Sequence, residues 1–377
     1  MTVTFFSNFL LHHQTPFCEA MVRQIGDGFR FVATEKIPPD RLAMGYKDLS
    51  HSASYAVNSY ESGASYNEAL RLGRESDVVI IGSAPDEFIV DRLKENRLTF
   101  RYYERFFKEG KWHILDPRVA IAHYKQDFRY RNKNLYMLCA SAYTAPDCRF
   151  IFSYPGKTFK WGYFPETRKY DDIERLIELK HPASILWVGR LIGWKHPEAA
   201  VLLAEQLKKD GYKFNLTILG EGEREEMLRR MIEKKNLSDC VKMHGFVPSD
   251  EVRQYMEKAD IYLFTSDRNE GWGAVLNESM NSACAVVACR EIGSVPYLIE
   301  HGKNGLIYDR KGPNSLYANV KRLLDDEKLK KELQKGAYQT MTSLWNADTA
   351  AGRLLCLIEC IQNKKEPEYT YGPCSRA

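Results

Sequence analysis

Asn269-Glu270-Gly271-Trp272-Gly273-Ala274-Val275-Leu276-Asn277-Glu278-Ser279-Met280 follows an apolar run, Ile261-Tyr262-Leu263-Phe264, and a polar break at Thr265-Ser266-Asp267. The apolar run, the glycine-bearing break and the helix-like residues beyond Gly273 predict a strand, a loop and a helix start. Gly271 and Gly273 let backbone approach a ligand closely. The first turn of a helix offers outward N–H groups that suit a phosphate. Glu270 falls in the loop, and Glu278, with seven residues between the two, lies about one turn into the helix at ~1.5 Å per residue. A carboxylate beside a phosphate is repelled, so the natural partners of these two are hydroxyl groups flanking an anion. Hydroxyls, diphosphate, hydroxyls describe a nucleotide sugar. The plain alternative is a solvated loop residue and a helix charge. It accounts for each carboxylate singly but not for the whole pattern.

The chain has 377 residues, enough for two cores, with 44% hydrophobic and 28% charged residues, and reads as soluble and globular. A net charge of +4 is too small to imply nucleic acid as a partner. Nine cysteines form no Cys-x-x-Cys pair and no cysteine-histidine ligand spacing, so they read as buried or free thiols in a reducing, cytoplasmic setting. No apolar run approaches the ~20 residues of a membrane span. The opening Met1-Thr2-Val3-Thr4-Phe5-Phe6 lacks a basic region and predicts a first strand, not a signal peptide.

Val3 to Ser7 predicts a strand, Thr15-Pro16 an N-cap with proline at the first helical position, and Phe29 to Ala33 a second strand. Strand, helix, strand in this order predicts a doubly wound parallel sheet. His12 and His13 stand in the first loop, either facing a ligand or as ordinary loop or core residues. A strand at Asp77 to Ser83, a helix from Pro85 to Leu93, and a strand through Leu98 to Phe107 follow. Glu104, near the end of that strand, is either a sugar contact or the partner of Arg101 or Arg105. Between Arg101 and Lys133 the basic residues Arg101, Arg105, Lys108, Lys111, Arg118, Lys125, Arg129, Arg131 and Lys133 outnumber Glu104, Glu109, Asp116 and Asp127, with Phe106, Phe107, Trp112, Tyr124, Phe128 and Tyr130 interleaved. Such a segment suits an anionic membrane surface or a phosphorylated glycan; a solvated basic face is the alternative. Lys133 to Tyr143 reads as the last strand of the first domain, and Tyr154 to Pro165 as its edge.

A second series starts at Ser184-Ile185-Leu186-Trp187-Val188-Gly189, which places the boundary near residues 166 to 182. Helices at Pro197 to Lys208 and Glu223 to Lys235 alternate with strands at Phe214 to Leu219, Val241 to His244, Ile261 to Phe264 and Ala285 to Ala288. This pattern predicts a Rossmann-like nucleotide domain. Gly220-Glu221-Gly222-Glu223 is by itself a weak phosphate-loop signal. Gly189-Arg190 and Lys195 follow the first strand of this domain. Ligands of open α/β sheets bind at the carboxyl ends of strands, so both cations reach the crevice that the Gly273 helix start reaches. Arg190 can grip phosphate oxygens in a fork, and Lys195 supplies a compact charge.

The Glu270 to Glu278 signature, with Gly189-Arg190 and Lys195 upstream, resembles that of the retaining glycosyltransferases of the family 4 type, also called glycosyltransferase group 1. The resemblance covers the second half of the chain well and the first half in outline. It implies the GT-B fold: two Rossmann-like, doubly wound parallel-sheet α/β domains facing across a cleft. The domains are then 1–170 on the acceptor side and 171–344 for the donor, with a helix near 345–364 returning to the first domain and a tail at 365–377. It further implies that Arg190 and Lys195 hold the diphosphate, that Glu270 meets hydroxyls of the transferred sugar, and that Glu278 meets the ribose. Gly189, Gly271, Trp272, Gly273, Ala274 and Val275 would line the donor, and His244-Gly245-Phe246-Val247-Pro248 resembles the base-binding loop through Phe246 and Val247. The first loop here, Asn8 to Gln14, has no glycine, and Glu104 stands where the family commonly has an active-site histidine. The family's run of alanine, cysteine, glycine, any residue and proline is Asn281-Ser282-Ala283-Cys284-Ala285 here, and Tyr297 stands where a glutamate is common.

The expected function is transfer of a sugar from a nucleotide-diphosphate donor to a glycan or lipid-linked acceptor, with retention of configuration, in cell-surface polysaccharide or glycolipid synthesis. No cofactor is expected beyond the nucleotide sugar as co-substrate. No metal is expected either, since the donor loop lacks an Asp-x-Asp pair. Peripheral contact at the inner face of the membrane is the expected location. The alternatives are a GT-B epimerase or phosphorylase, and a catalytically silent nucleotide- or glycan-binding protein.

Overall fold

The computed structural model describes residues 1–43, 47–311 and 315–377. They divide into two compact units, Met1–Glu166 with Trp345–Ala377, and Thr167–Leu344.

The first unit is built on strands β1 (Val3–Ser7), β2 (Phe29–Ala33), β3 (Ala56–Asn58), β4 (Val78–Ile81), β5 (Thr99–Tyr103), β6 (Leu135–Cys139) and β7 (Thr158–Lys160). They form one seven-stranded sheet in the order β3-β2-β1-β4-β5-β6-β7, and every pairing is parallel. Strands covered on both faces need apolar residues at every position, and β1 and β4 are buried throughout. Thr15 is not an N-cap: it is the first residue of the helix Thr15–Ile25, and its hydroxyl donates to the Leu11 carbonyl at 3.1 Å. The helix expected over Pro85 to Leu93 is split into a 3-10 turn, Asp86–Phe88, and a short helix, Val90–Lys94. Asp86 is drawn to Arg101 at 2.8 Å.

The strand expected to run through Phe107 ends at Tyr103. Beyond it the Asp147 carboxylate accepts the amides of Phe106 and Phe107 at 3.1 and 3.3 Å, which peels the chain off the sheet. Lys133 to Tyr143 is not the last strand, because β7 adds beyond β6 within the stretch expected as an edge. Three residues, Thr158-Phe159-Lys160, are too few to display a period. The far side of β7 is covered by the chain's final residues, with Lys160 N–H donating to the Ser375 carbonyl at 2.8 Å and Ala377 N–H to that of Thr158 at 3.1 Å. Pairing of this kind protects a sheet edge. The helix Ala347–Gln362 opens on the Asn346 side chain, which accepts the Thr349 amide at 2.9 Å, and packs on Thr15–Ile25.

The second unit holds β8 (Ser184–Val188), β9 (Asn215–Leu219), β10 (Val241–Met243), β11 (Ile261–Phe264), β12 (Ala285–Cys289) and β13 (Leu306–Tyr308). The six strands lie in the order β10-β9-β8-β11-β12-β13, again all parallel. Strand order reverses between β8 and β11. At such a switch point the loops leaving neighbouring strands diverge and open a crevice at their carboxyl ends.

The turn after the helix Val275–Asn281 carries backbone strain. Ala283 takes a left-handed conformation, φ 52°, and is fully buried, while Cys284 N–H reaches back to the Ser279 carbonyl at 3.0 Å. That is a helix C-terminal geometry suited to glycine, since a Cβ there crowds the backbone at a cost of roughly 1 kcal/mol. Ala283→Gly is therefore expected to raise unfolding stability by about 1 kcal/mol in urea titration; a loss of stability contradicts the strain.

Candidate functional site

The loops leaving β8 and β11 meet at the switch point. Gly189 directly follows β8, and a Cβ there would stand 3.1 Å from Lys195 Cδ and 3.2 Å from the Trp187 ring. Its absence lets the lysine stem lie back across the strand end. The loop after β9 is pressed onto the same place, because side chains at Gly220 and Gly222 would collide with the carbonyls of Gly189 and Leu191. Both have positive φ. These glycines pack one loop on another, and Glu221 uses the arrangement to accept the Phe246 amide at 3.1 Å. Phe246 presents an exposed ring beside half-buried Val247.

Lys195 Nζ donates to Glu270 Oε2 at 2.6 Å, and both side chains are largely buried. The Ser266 hydroxyl donates to the same oxygen at 2.9 Å. The backbone beneath is tied as well: the Thr265 hydroxyl donates to the Lys195 carbonyl at 2.7 Å, the Trp187 indole to Thr265 Oγ1 at 2.7 Å, and Asp267 N–H to the Trp194 carbonyl at 2.9 Å. The structure thus joins two residues that the sequence assigned to different parts of a ligand. Arg190 stands in the same loop, exposed, with no side-chain hydrogen bond to any described residue.

Gly273 has φ +81°, and a Cβ on it would run into the Phe264 ring. Gly271 is buried. Trp272 is fully buried, its indole donating to Asn277 Oδ1 at 2.9 Å. Its side chain belongs to the core, so what this stretch can offer a ligand there is backbone. Ala274 and Val275 are half-buried, and the helix Val275–Asn281 begins with no side-chain cap on its first turn. Glu278 lies one turn inside it. Burial first, then the nearby Glu278, Cys284 and Glu270, holds the Tyr262 hydroxyl well above its usual range.

In the first unit Glu104 is fully engaged. Its Oε1 accepts the Tyr163 hydroxyl at 2.7 Å and its Oε2 the Lys108 ammonium at 2.6 Å. It pairs with neither Arg101 nor Arg105, because closer acids take both. Arg101 is buried against Asp86 at 2.8 Å and Asp127 at 3.6 Å, and Arg105 lies 3.8 Å from Asp147. Tyr163 stacks on His13 at 5.1 Å and 17°. Burial, with His12 and Arg41 nearby, pushes the His13 imidazole down to about 3, so it is neutral near pH 7.

The basic, aromatic segment accordingly divides. Arg101, Arg105, Phe107 and Tyr130 face inward. The 3-10 turn Lys111–Leu115 and the helix Pro117–Gln126 bury no residue at all. On them Trp112 is 65%, Leu115 80%, Ile121 52% and Tyr124 57% exposed, interspersed with Lys111, Arg118 and Lys125. Among the described residues no helix is long and apolar enough to cross a membrane.

Residues 171–340 match the family model described as Glycosyl transferases group 1. That segment, a little under half of the chain, is similar to group 1 glycosyltransferases, and the fold is that of GT-B proteins. The amylovoran biosynthesis glycosyltransferase AmsK of Erwinia amylovora is 35% identical over 154 residues, 40% of this chain and 38% of that protein. The N-acetylgalactosamine-N,N'-diacetylbacillosaminyl-diphospho-undecaprenol 4-alpha-N-acetylgalactosaminyltransferase of Campylobacter jejuni is 33% identical over 153 residues, 41% of this chain and 40% of that protein. The chain thus spans about two fifths of the length of these curated relatives. Anabaena HepE, solved with UDP, superposes with a TM-score of 0.69 at 15% identity over 96% of this chain and 100% of that one. TarM gives 0.60 at 16% identity over 78% and 57%.

The sequence reading gave no site role to Asp267, Ser266, Thr265, Glu221 or His196, although each shapes these loops. Asp267 and His196 carried the one available signal, adjacency to the motif residues.

Proposed function

We propose that the protein transfers a sugar from a nucleotide-diphosphate donor to a glycan or lipid-linked acceptor, in synthesis of a cell-surface polysaccharide or glycolipid. The observation that carries this reading is the Lys195–Glu270 pair at 2.6 Å, at the switch point of a unit matched to group 1 glycosyltransferases. Breaking a sugar-phosphate bond puts positive character on the anomeric carbon and negative charge on the departing diphosphate. Arg190 and Lys195 meet that negative charge where it grows. Glu270, shared with Lys195 and Ser266 until a donor arrives, takes sugar hydroxyls, and Glu278, set back along the helix, takes those of the ribose. The exposed Phe246 ring with Val247 meets the base. The names of AmsK and the Campylobacter relative, one for a polysaccharide and the other for a diphospho-undecaprenol compound, support the acceptor class. HepE's structure with UDP supports the donor class.

Transfer retains configuration and needs no divalent metal for the chemical step. An inverting reaction needs a base for the incoming hydroxyl. Glu104, the carboxylate the sequence offered near the sugar, already accepts from Tyr163 and Lys108. In a same-face reaction the departing phosphate oxygen can take that proton, and the two cations of the donor loops balance its charge. The protein works at the inner face of the membrane, where the aromatic and basic residues of Lys111–Leu115 and Pro117–Gln126 contact anionic lipid.

Nucleoside diphosphate release, measured over a panel of nucleotide sugars, should fall on the order of a hundredfold in Arg190→Ala and in Lys195→Ala, with folding intact. Proton NMR of the fresh product, with and without chelator, should show the donor's anomeric coupling preserved in both. Near-normal activity in either folded variant, an inverted coupling, or loss of turnover on chelation would each sink the corresponding part of the reading. Flotation with vesicles containing phosphatidylglycerol should fade as salt screens charges beyond ~10 Å and should be lost in Trp112→Ser/Leu115→Ser. Unchanged flotation in that variant identifies a merely solvated face.

A further inference from the structure

His196 follows Lys195 directly and takes the left-handed conformation, φ 50° and ψ 51°. Side chains other than glycine are uncommon there, with histidine among the better tolerated. Both ring nitrogens are engaged. Nε2 lies 3.0 Å from Asp267 Oδ2, on the loop that carries Glu270, and Nδ1 lies 3.0 Å from Glu198 Oε1, at the start of the helix Glu198–Lys209. An Arg310 guanidinium nitrogen, from the segment after β13, stands 3.2 Å from the same Nδ1. Arg310 also lies 3.8 Å from Asp267, and Arg224 lies 3.7 Å from Glu198.

Asp267 is a hub of its loop. Its N–H donates to the Trp194 carbonyl at 2.9 Å, its carbonyl accepts the Glu270 amide at 3.0 Å, and its other carboxylate oxygen accepts both Asn269 N–H groups at 2.9 Å. The imidazole therefore links the residue after Lys195 to the residue three before Glu270. With Trp194 bonded to Asp267 on one side and His196 on the other, the Lys195 backbone is bracketed, and its ammonium points to Glu270 Oε2. Three features that are otherwise unrelated then share one cause: the positive φ of His196, the glycine at 189 across which the Lys195 stem lies, and two carboxylates turned onto one ring.

We propose that His196 is a positioning residue, whose imidazole ties the Lys195 turn to the Glu270 loop and so sets the Lys195 ammonium against the donor diphosphate. This rests on the donor-site reading given above. His196 touches neither the diphosphate nor the sugar in this account, and its effect passes through Lys195.

The test is a double-mutant cycle on the full chain, read as kcat and KM for nucleoside diphosphate release from the best nucleotide sugar of the panel. His196→Gly removes the imidazole and keeps a residue at ease with positive φ. It should lower kcat on the order of tenfold to a hundredfold, because a catalytic group about 1 Å out of place loses that much, with KM changed far less. In a Lys195→Ala background the same substitution should have no further effect, since interacting residues are non-additive. Asp267→Asn, which removes the charge facing the imidazole, should lower kcat in the same direction and be equally silent without Lys195, so the inference is testable even if His196→Gly fails to fold. A wild-type rate in folded His196→Gly or Asp267→Asn, or an equal loss with and without Lys195, overturns the proposal. Full activity of Lys195→Ala alone overturns the donor-site reading instead.

Discussion

The second unit depends on one buried charge pair. Lys195 and Glu270 are held 2.6 Å apart with side chains only 13% and 11% exposed, in loops that leave neighbouring strands of the sheet. A buried pair of this kind adds little net stability, because removing two charges from water offsets their attraction. Its consequence is geometric. A lysine and a glutamate that would each be left buried and unpaired if separated hold the two loops in register, and the surrounding residues leave the space this requires. Gly189 leaves room for the lysine stem, Gly273 avoids the Phe264 ring, and the indole of Trp187 fixes Thr265, which in turn accepts the job of holding the Lys195 carbonyl. A pair so arranged is also divisible. In the function proposed above, a diphosphate takes the ammonium and a sugar hydroxyl the carboxylate, each replacing one half of the Lys195–Glu270 interaction.

Much of this unit was legible in the sequence because a parallel strand covered on both faces must be apolar throughout. Ser184 to Val188 and Ile261 to Phe264 announce themselves in that way, and the glycines that follow mark the loops. The strands β3, β7 and β13 were not legible, since three residues each carry no period; β10, equally short, was legible only from its place in a regular strand-helix alternation. Trp272 looked like a ligand contact from its place in the motif, and its full burial against Asn277 is settled by tertiary packing. Glu104 is the same lesson in the first unit. Its proximity to Arg101 and Arg105 in the chain suggested ion pairs, yet its hydroxyl partner is Tyr163, 59 residues away, and Asp86, Asp127 and Asp147 claim the arginines. The pairing of Lys195 with Glu270, 75 residues apart, is likewise a product of sheet order.

The fold is shared at 15% identity with HepE over nearly the whole chain, which is what is expected when apolar pattern, strand order and a few glycines specify the architecture. Departures from the group's motif can then be read as local physics. Alanine at 283 keeps a left-handed turn that suits glycine. His196, outside the run at 281–285, takes another left-handed conformation, its ring held between Asp267 and Glu198.

The measurement that tests the account most directly is calorimetric titration with UDP, and with GDP and ADP in turn, of wild-type protein, Lys195→Ala and Glu270→Gln. If the buried pair is the joint of a donor site, Lys195→Ala weakens binding of the accepted nucleoside diphosphate by about tenfold or more. Glu270→Gln removes a carboxylate that competes for Lys195 and repels the anion, so it leaves that affinity unchanged or tighter while sugar transfer is lost. Equal weakening in both variants, or no binding of any nucleoside diphosphate to the wild type, would contradict the account.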